Sequence, residues 1–336
     1  MIRSATILGC AGLALTPDER AFFWRAQPWG FILFARNVQD ATQLTALTAD
    51  LRDAVGYDAP ILIDQEGGRV QRMRGPVWRQ WHPPLDQMAR AGVAGGARAM
   101  ALRYRLIADE LRAVGIDVNC APIADVARAD THPSLRNRLY GTDPAVVARV
   151  ARAVASGLMA GGVLPVVKHV PGHGAGLTDS HLDLPRVDLD TETLKSVDFS
   201  TFRALKGLPL GMTAHVVYPA LGSDLPATMD PQVIRLIRED IGFTGALMTD
   251  DLSMGALPGP IGERAARAKA AGCDLVLHCN GELSEMEDVV AQTGVLDGAA
   301  KVRTDAALKM RKTPDPLDII QIEADLAALL DGEVYV

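Results

Sequence analysis

Three stretches of this 336-residue sequence concentrate the side chains that proton transfer, nucleophilic attack and polar-ligand binding require. The first, Asp64-Gln65-Glu66-Gly67-Gly68-Arg69-Val70-Gln71-Arg72, follows an apolar run and carries two carboxylates, two glycines and two arginines. Asp64 can accept hydrogen bonds from vicinal hydroxyls, and the glycines allow a tight turn or close backbone approach. A structural ion-pair turn is the competing reading. The second, Lys168 to His181, holds three histidines, a lysine and an aspartate within 14 residues. Pro171, Gly172, Gly174 and Gly176 make it a long irregular loop, a kind that is usually functional or disordered. Asp179 can reach His181, fix its tautomer and stabilise its cation, which suits an acid that then serves as base. His169, His173 and His181 could instead supply three imidazoles to a metal. The third, Thr249-Asp250-Asp251-Leu252-Ser253-Met254, offers paired acids at a strand end. These suit a nucleophile with a supporting neighbour, or a metal carboxylate pair. A helix N-cap explains Asp251 better than Asp250.

Other residues carry weaker signals. His215 ends an apolar run and faces the same way if the strands form a barrel. Arg136 and Arg138 both lie where one could bind an anionic or hydroxylated ligand. His278 reads as a core histidine, and His82 and His132 as plain loop positions.

Side chains this far apart need a frame that brings strand ends together. Eight apolar runs supply one: Thr6–Ala11, Phe31–Ala35, Ile61–Asp64, Asp117–Ile123, Leu164–His169, Gly211–Val217, Ala246–Thr249 and Asp274–His278. They are apolar throughout rather than alternating, as parallel strands covered on both faces are. Amphipathic stretches separate them. Asp40–Val55 places Leu44, Leu47, Leu51 and Val55 on one helical face, and Gly96–Val114, Pro144–Met159, Thr191–Leu205 and Pro231–Ile241 repeat the pattern. Gly56, Gly115, Gly161, Gly242 and Gly272 stand where helices stop. The alternation predicts an α/β fold, a TIM-like (β/α)8 barrel in a single domain, whose site lies at the strands' C-terminal ends. An open doubly wound sheet is the alternative, and no dinucleotide-binding glycine motif supports it. Residues 1–312 are expected to form the barrel, with 313–336 as a C-terminal appendage packed on its outside.

Bulk properties exclude several classes. A formal charge of −7 and a pI near 5.5 argue against a nucleic-acid partner. No polybasic segment suits an anionic membrane, and no apolar stretch is long enough to span one. Cys10, Cys120, Cys273 and Cys279 sit in apolar runs without C-x-x-C spacing, which predicts buried free thiols and a reducing, cytoplasmic setting. Ile7-Leu8-Gly9-Cys10 superficially resembles a lipoprotein cleavage box, but too little precedes it for a signal segment.

Taken together, the runs at 64–72, 168–174, 179–181 and 249–254 resemble glycoside hydrolase family 3, most of all its bacterial β-N-acetylglucosaminidase branch, which works in peptidoglycan recycling. Their order and spacing agree, and the similarity covers roughly Gly30 to Asn280. The resemblance implies a retaining β-N-acetylhexosaminidase that removes terminal β-linked N-acetylglucosamine through a covalent glycosyl-enzyme. The nucleophile then falls on Asp250, and the acid/base on His181 oriented by Asp179. Sugar contacts fall on Asp64, Arg72, Arg138, Lys168 and His169. Val170 departs from the phenylalanine usual in the family. Muropeptides carrying GlcNAc-anhydro-N-acetylmuramic acid are the implied substrates, with no cofactor, no metal and no obligate protein partner. A β-glucosidase or β-xylosidase on the same scaffold and a metal-dependent barrel hydrolase are the rivals.

Overall fold

The apolar runs pair side by side in parallel and close on themselves. The computed structural model, which describes residues 2–178 and 183–336, has eight barrel strands. They are β1 (Ser4–Leu8), β2 (Pro28–Leu33), β3 (Ile61–Ile63), β4 (Val118–Asn119), β5 (Leu164–Val170), β6 (Leu210–Thr213), β7 (Ala246–Asp251) and β8 (Leu275–His278). Each strand pairs with its sequence neighbour, and Thr6 opposite Val276 joins β1 to β8. The expected (β/α)8 barrel is therefore what the chain forms.

A helix follows each strand: α1 (Pro17–Ala26), α2 (Ala41–Val55), α3 (Pro84–Ala113), α4 (Pro144–Ala160), α5 (Phe199–Ala204), α6 (Pro231–Glu239), α7 (Ile261–Ala271) and α8 (Leu283–Thr293). Local chemistry sets their ends. Asp40, Asp143 and Asp230 accept backbone N–H bonds at the starts of α2, α4 and α6, and left-handed Gly56 and Gly272 end α2 and α7. Two further helices follow, α9 (Gly298–Lys309) and α10 (Ile319–Leu329), and α10 packs on α3.

Two apolar layers hold this frame. Ile7, Trp29, Leu62, Val166, Leu210 and Met248 fill the barrel interior. Phe31, Leu47, Leu51, Ile107, Val150 and Leu247 belong to the larger layer between strands and helices. Burying a side chain of this size contributes roughly 1.5–3 kcal/mol. The strands are covered on both faces, so their apolar runs need not alternate.

Several element limits differ from the sequence reading. β2 begins at Pro28, not Phe31, because Pro28 opens the strand where no ladder donor is needed. β4 is only two residues long, since the Ala121 N–H turns back to Asn119 O (2.8 Å) instead of joining the ladder; Ile123 returns to pair with Lys168 as an isolated bridge. β6 stops at Thr213, so His215 lies beyond it. α3 starts at Pro84 and breaks at Gly92, where φ is +64°. The segment expected as one helix over 191–205 is divided by a π turn at Leu194–Asp198. All four cysteines are buried and unpaired, as expected. Among the described residues no helix is long and apolar enough to cross a membrane.

Candidate active site

The C-terminal ends of β3, β5 and β7 converge on a cavity of about 240 Å³. That volume lies below the roughly 300–1,000 Å³ of drug-sized ligand sites and suits a small polar molecule. Asp64, Arg72, Arg138, Lys168, His169 and Asp250 all line it, with Phe34, Met212 and Met254 as apolar wall. Asp179 and His181 lie outside the described residues.

Asp64 leaves the end of β3, and the chain then folds back as an antiparallel hairpin, Gln65–Gly67 with Val70–Gln71. Gly67 and Gly68 turn it with φ of +98° and +59°, a region that side chains rarely adopt. The Gln65 side chain pins the return, accepting from Arg72 N (2.9 Å) and Met73 N (3.0 Å). Arg72 thereby reaches Asp64 at 3.1 Å and lies 4.8 Å over the Phe34 ring.

Lys168 and His169 follow each other on β5, yet both line the cavity, because the strand register shifts between Val167 and Val170. Lys168 Nζ bridges Asp64 (2.8 Å) and Glu66 (2.7 Å), while Arg138 grips Glu66 with two bonds of 2.8 Å. Three cations thus surround two carboxylates. Burial alone would raise the Asp64 carboxyl, but Lys168 and Arg72 outweigh it and hold the group well below the usual carboxylate range. Burial likewise works against the Lys168 ammonium, and Asp64 and Glu66 reverse that, keeping it charged above its ordinary range. The result is a rigid, fully ionised wall. Such a wall presents fixed acceptors and donors to a ligand rich in hydroxyls.

The two acids at the end of β7 have different surroundings. Asp251 is occupied: it accepts from Ser253 N (3.0 Å), Ser253 Oγ (2.6 Å) and Cys279 N (3.1 Å). The competing N-cap reading of Asp251 does not hold, because α7 begins ten residues later at Ile261. Among the described residues Asp250 accepts one bond, from Asp251 N at 2.8 Å, and it faces the cavity. Burial raises its carboxyl; His215, His169, the Asp251 N–H and Lys168 together bring it below the usual value. Asp250 is therefore an ionised carboxylate turned to the cavity. His215 lies behind the site, where Nε2 meets the Asp251 carbonyl (3.0 Å) and Nδ1 meets Thr228 Oγ1 (2.8 Å).

The histidines at the start of the β5 loop rest on a residue that the sequence reading passed over. Asp125 accepts from His169 Nδ1 (2.8 Å) and His173 N (2.6 Å). The His169 and His173 rings meet edge to face at 5.5 Å, and burial, with His169 beside it, lowers His173 to about 4, leaving it neutral. Among the described residues no three His, Cys, Asp or Glu side chains group closely enough to hold a metal ion. Of the two arginines, Arg138 lines the cavity, while Arg136 is exposed and donates to Ala129 O. His278 is buried with Nε2 on Glu285 (2.9 Å), and its Nδ1 has no partner among the described residues. Glu66 and Asp125 are the site residues that local reading missed. Both stand at or just past strand ends, which was the one signal available.

Comparison with known proteins shows the family of this barrel. The model of the glycosyl hydrolase family 3 N-terminal domain matches residues 17–309. A beta-hexosaminidase of Alkalilimnicola ehrlichii is 38% identical over 288 residues, covering 83% of this chain and 82% of that protein. One of Methylococcus capsulatus is 35% identical over 333 residues, covering 94% and 98%. The crystal structure of native NagZ from Neisseria gonorrhoeae superposes with a TM-score of 0.86 at 30% identity, covering 98% of both chains. The polar strand ends thus sit in a barrel matched over most of its length, and the chain belongs to glycosyl hydrolase family 3.

Proposed function

We propose that this chain is a retaining exo-β-N-acetylglucosaminidase that releases terminal, non-reducing β-linked N-acetylglucosamine. Asp250 attacks the anomeric carbon as His181, oriented by Asp179, protonates the leaving oxygen; the glycosidic C–O bond breaks and a glycosyl ester to Asp250 forms. A water then adds to the anomeric carbon, gives its proton to His181, and the ester bond to Asp250 breaks. Asp64, Arg72, Arg138, Lys168 and His169 bind the sugar. The retaining geometry usual in glycosidases pairs two carboxyl groups about 5–5.5 Å apart, and here a histidine takes the place of one.

The observation that carries this reading is the division of labour between Asp250 and Asp251. One carboxylate is consumed by three internal bonds, and the other is ionised and turned to the cavity. The sugar itself is supported by relatives that bear the name beta-hexosaminidase. The substrates we infer are GlcNAc-anhydro-N-acetylmuramic acid muropeptides, met in the cytoplasm, a compartment in keeping with four free thiols. We place the catalytic barrel at 1–312 and the appendage at 313–336.

The test is hydrolysis of an aryl β-N-acetylglucosaminide beside the matched glucoside and xyloside, with wild type and Asp250→Ala. Wild type should prefer the N-acetylglucosaminide, and Asp250→Ala should lose at least about 10⁴-fold in kcat, near the loss seen when a covalent nucleophile is removed. Near-wild-type turnover by Asp250→Ala would refute the assignment, and preference for the glucoside would move the enzyme to another branch.

A further inference from the structure

The Lys168–His169 pair enters the cavity beside a carboxylate that takes no direct part in lining it. Asp125 is 1% exposed, follows the Ile123 bridge to β5, and stands 44 residues before His169 in the chain. Among the described residues its two oxygens meet three donors. His173 N reaches Oδ1 at 2.6 Å, His169 N sits 3.3–3.4 Å from both oxygens, and His169 Nδ1 lies 2.8 Å from Oδ2. Arg128, the nearest arginine in sequence, is taken by Asp198 in a two-point contact of 2.9 and 2.8 Å. Asp125 therefore holds both histidines, His169 by its ring and backbone and His173 by its backbone N–H.

We propose that Asp125 is a positioning residue for the reaction, one that fixes His169 with Nδ1 protonated and Nε2 presented to the cavity as an acceptor for a sugar hydroxyl. The tautomer follows from the partners. An ionised carboxylate is acceptor only, so the ring nitrogen at 2.8 Å must carry the hydrogen. Burial raises the Asp125 carboxyl, and His169 and the converging N–H groups more than reverse this, keeping it ionised. Nε2 is then the ring nitrogen left for the cavity that His169 lines. An amide at this position cannot do the same. If its oxygen keeps the His173 N–H, its NH2 faces His169 Nδ1, and the ring must move its proton to Nε2. That would replace an acceptor by a donor where a hydroxyl is bound.

The proposal rests on the hydrolase reading for its kinetic arm alone; its spectroscopic arm stands apart. Nitrogen NMR of isotope-labelled histidine in the wild-type protein at alkaline pH, with His169 assigned from a His169→Gln variant, should show the Nδ1–H tautomer. Finding Nε2–H there would overturn the proposal, whether or not any variant folds. In Asp125→Asn, with cooperative unfolding retained, the tautomer should switch and kcat/KM on the aryl N-acetylglucosaminide should fall about 30-fold, the equivalent of leaving one buried hydrogen bond unmet. The double variant Asp125→Asn/His169→Ala should be no slower than His169→Ala, because Asp125 acts through that ring. Losses that multiply in the double variant would show that Asp125 works elsewhere and refute the assignment. A wild-type enzyme inert on this substrate would refute the hydrolase reading and leave the tautomer measurement to decide the role of Asp125.

Discussion

The residue that most limits how the site can vary is Glu66, which touches two of its cations. Its carboxylate is 1% exposed and joins Lys168 at 2.7 Å to Arg138 at 2.8 Å. Its backbone carbonyl accepts from Tyr104 Oη (3.2 Å) and from the buried Arg103 guanidinium. Burial favours the protonated acid, but Arg138 and Lys168 prevail and Glu66 is ionised with its pKa lowered. Glu66→Gln keeps the shape and removes the charge, leaving Asp64, with the more distant Asp250, to balance Lys168, Arg138 and Arg72. Removing one partner of a buried pair typically costs 3–5 kcal/mol, and the amide's remaining bonds should hold the loss to about 3 kcal/mol. KM should rise more than kcat falls, since Arg138 and Lys168 lose their fixed positions. The pH dependence has a definite sign. A lowered carboxyl pKa in the folded state adds stability that is complete above the unfolded value near 4.3 and fades as pH falls through the folded one. Urea unfolding of the two proteins should therefore differ most near neutrality and converge in acid. A gap that widened below pH 4 would mean that Glu66 is protonated in the folded enzyme.

At the scale of elements, the 65–71 hairpin delivers Arg72, and its geometry depends on Gly67. With φ at +98°, a Cβ there would overlap the Arg103 guanidinium and lie 2.8 Å from the Trp81 Cβ. Gly67→Ala should cost more than about 2 kcal/mol, and kcat/KM should fall as the hairpin shifts Arg72. Gly56→Ala is the control: φ is +69° with nothing within 4 Å, so it pays only the left-handed penalty of roughly 1 kcal/mol and keeps full activity. Equal effects from the two variants would show that conformation rather than contact matters at Gly67. This hairpin also marks where the sequence stops being legible. Gly67-Gly68 announced a turn, and the apolar runs announced strands, because both signals are local. Pro28-Trp29-Gly30 reads locally as a break, yet it is strand, because Gly30 leaves room beside Pro60 at the start of the neighbouring β3; a Cβ there would lie only 2.9 Å from the Pro60 carbonyl oxygen. The partners of Glu66 and Asp125 lie 72 and 44 residues away. No window of sequence contains both members of either pair, so their roles become visible only when the barrel closes. The resemblance points to Arg138 rather than Arg136, and in the fold Arg138 is held against Glu66.

At the scale of the whole molecule, chemistry and stability occupy opposite ends of the barrel. Asp117 and Asp274 precede β4 and β8, which face each other across an eight-stranded closed sheet. Each accepts a backbone N–H of the preceding strand at 2.8 Å, from Ile61 and Leu247 respectively. Each also draws in arginines from outside the barrel. Arg311 reaches Asp117 at 2.9 Å; Arg303 and Arg238 reach Asp274 at 2.6 Å. Arg303 lies on α9 and Arg311 just beyond it, so this helix is tied to the barrel floor on two opposite sides. Between the ties, Ala307 joins the interior core, as does Leu296 ahead of the helix. In (β/α)8 enzymes the N-terminal face reads as stability and the C-terminal face as chemistry. Arg303→Met keeps the apolar stem and removes one of two guanidinium groups on a carboxylate only 1% exposed. Arg238 remains, which should limit the loss to about 2 kcal/mol rather than the 3–5 kcal/mol of a fully broken buried pair. Denaturant unfolding should register that loss while kcat/KM on the aryl N-acetylglucosaminide stays within about twofold, because packed strands separate the tie from Asp250. A large fall in kcat/KM with stability intact would mean that the floor of the barrel sets the geometry of its mouth, and the division between the two faces would not hold for this chain.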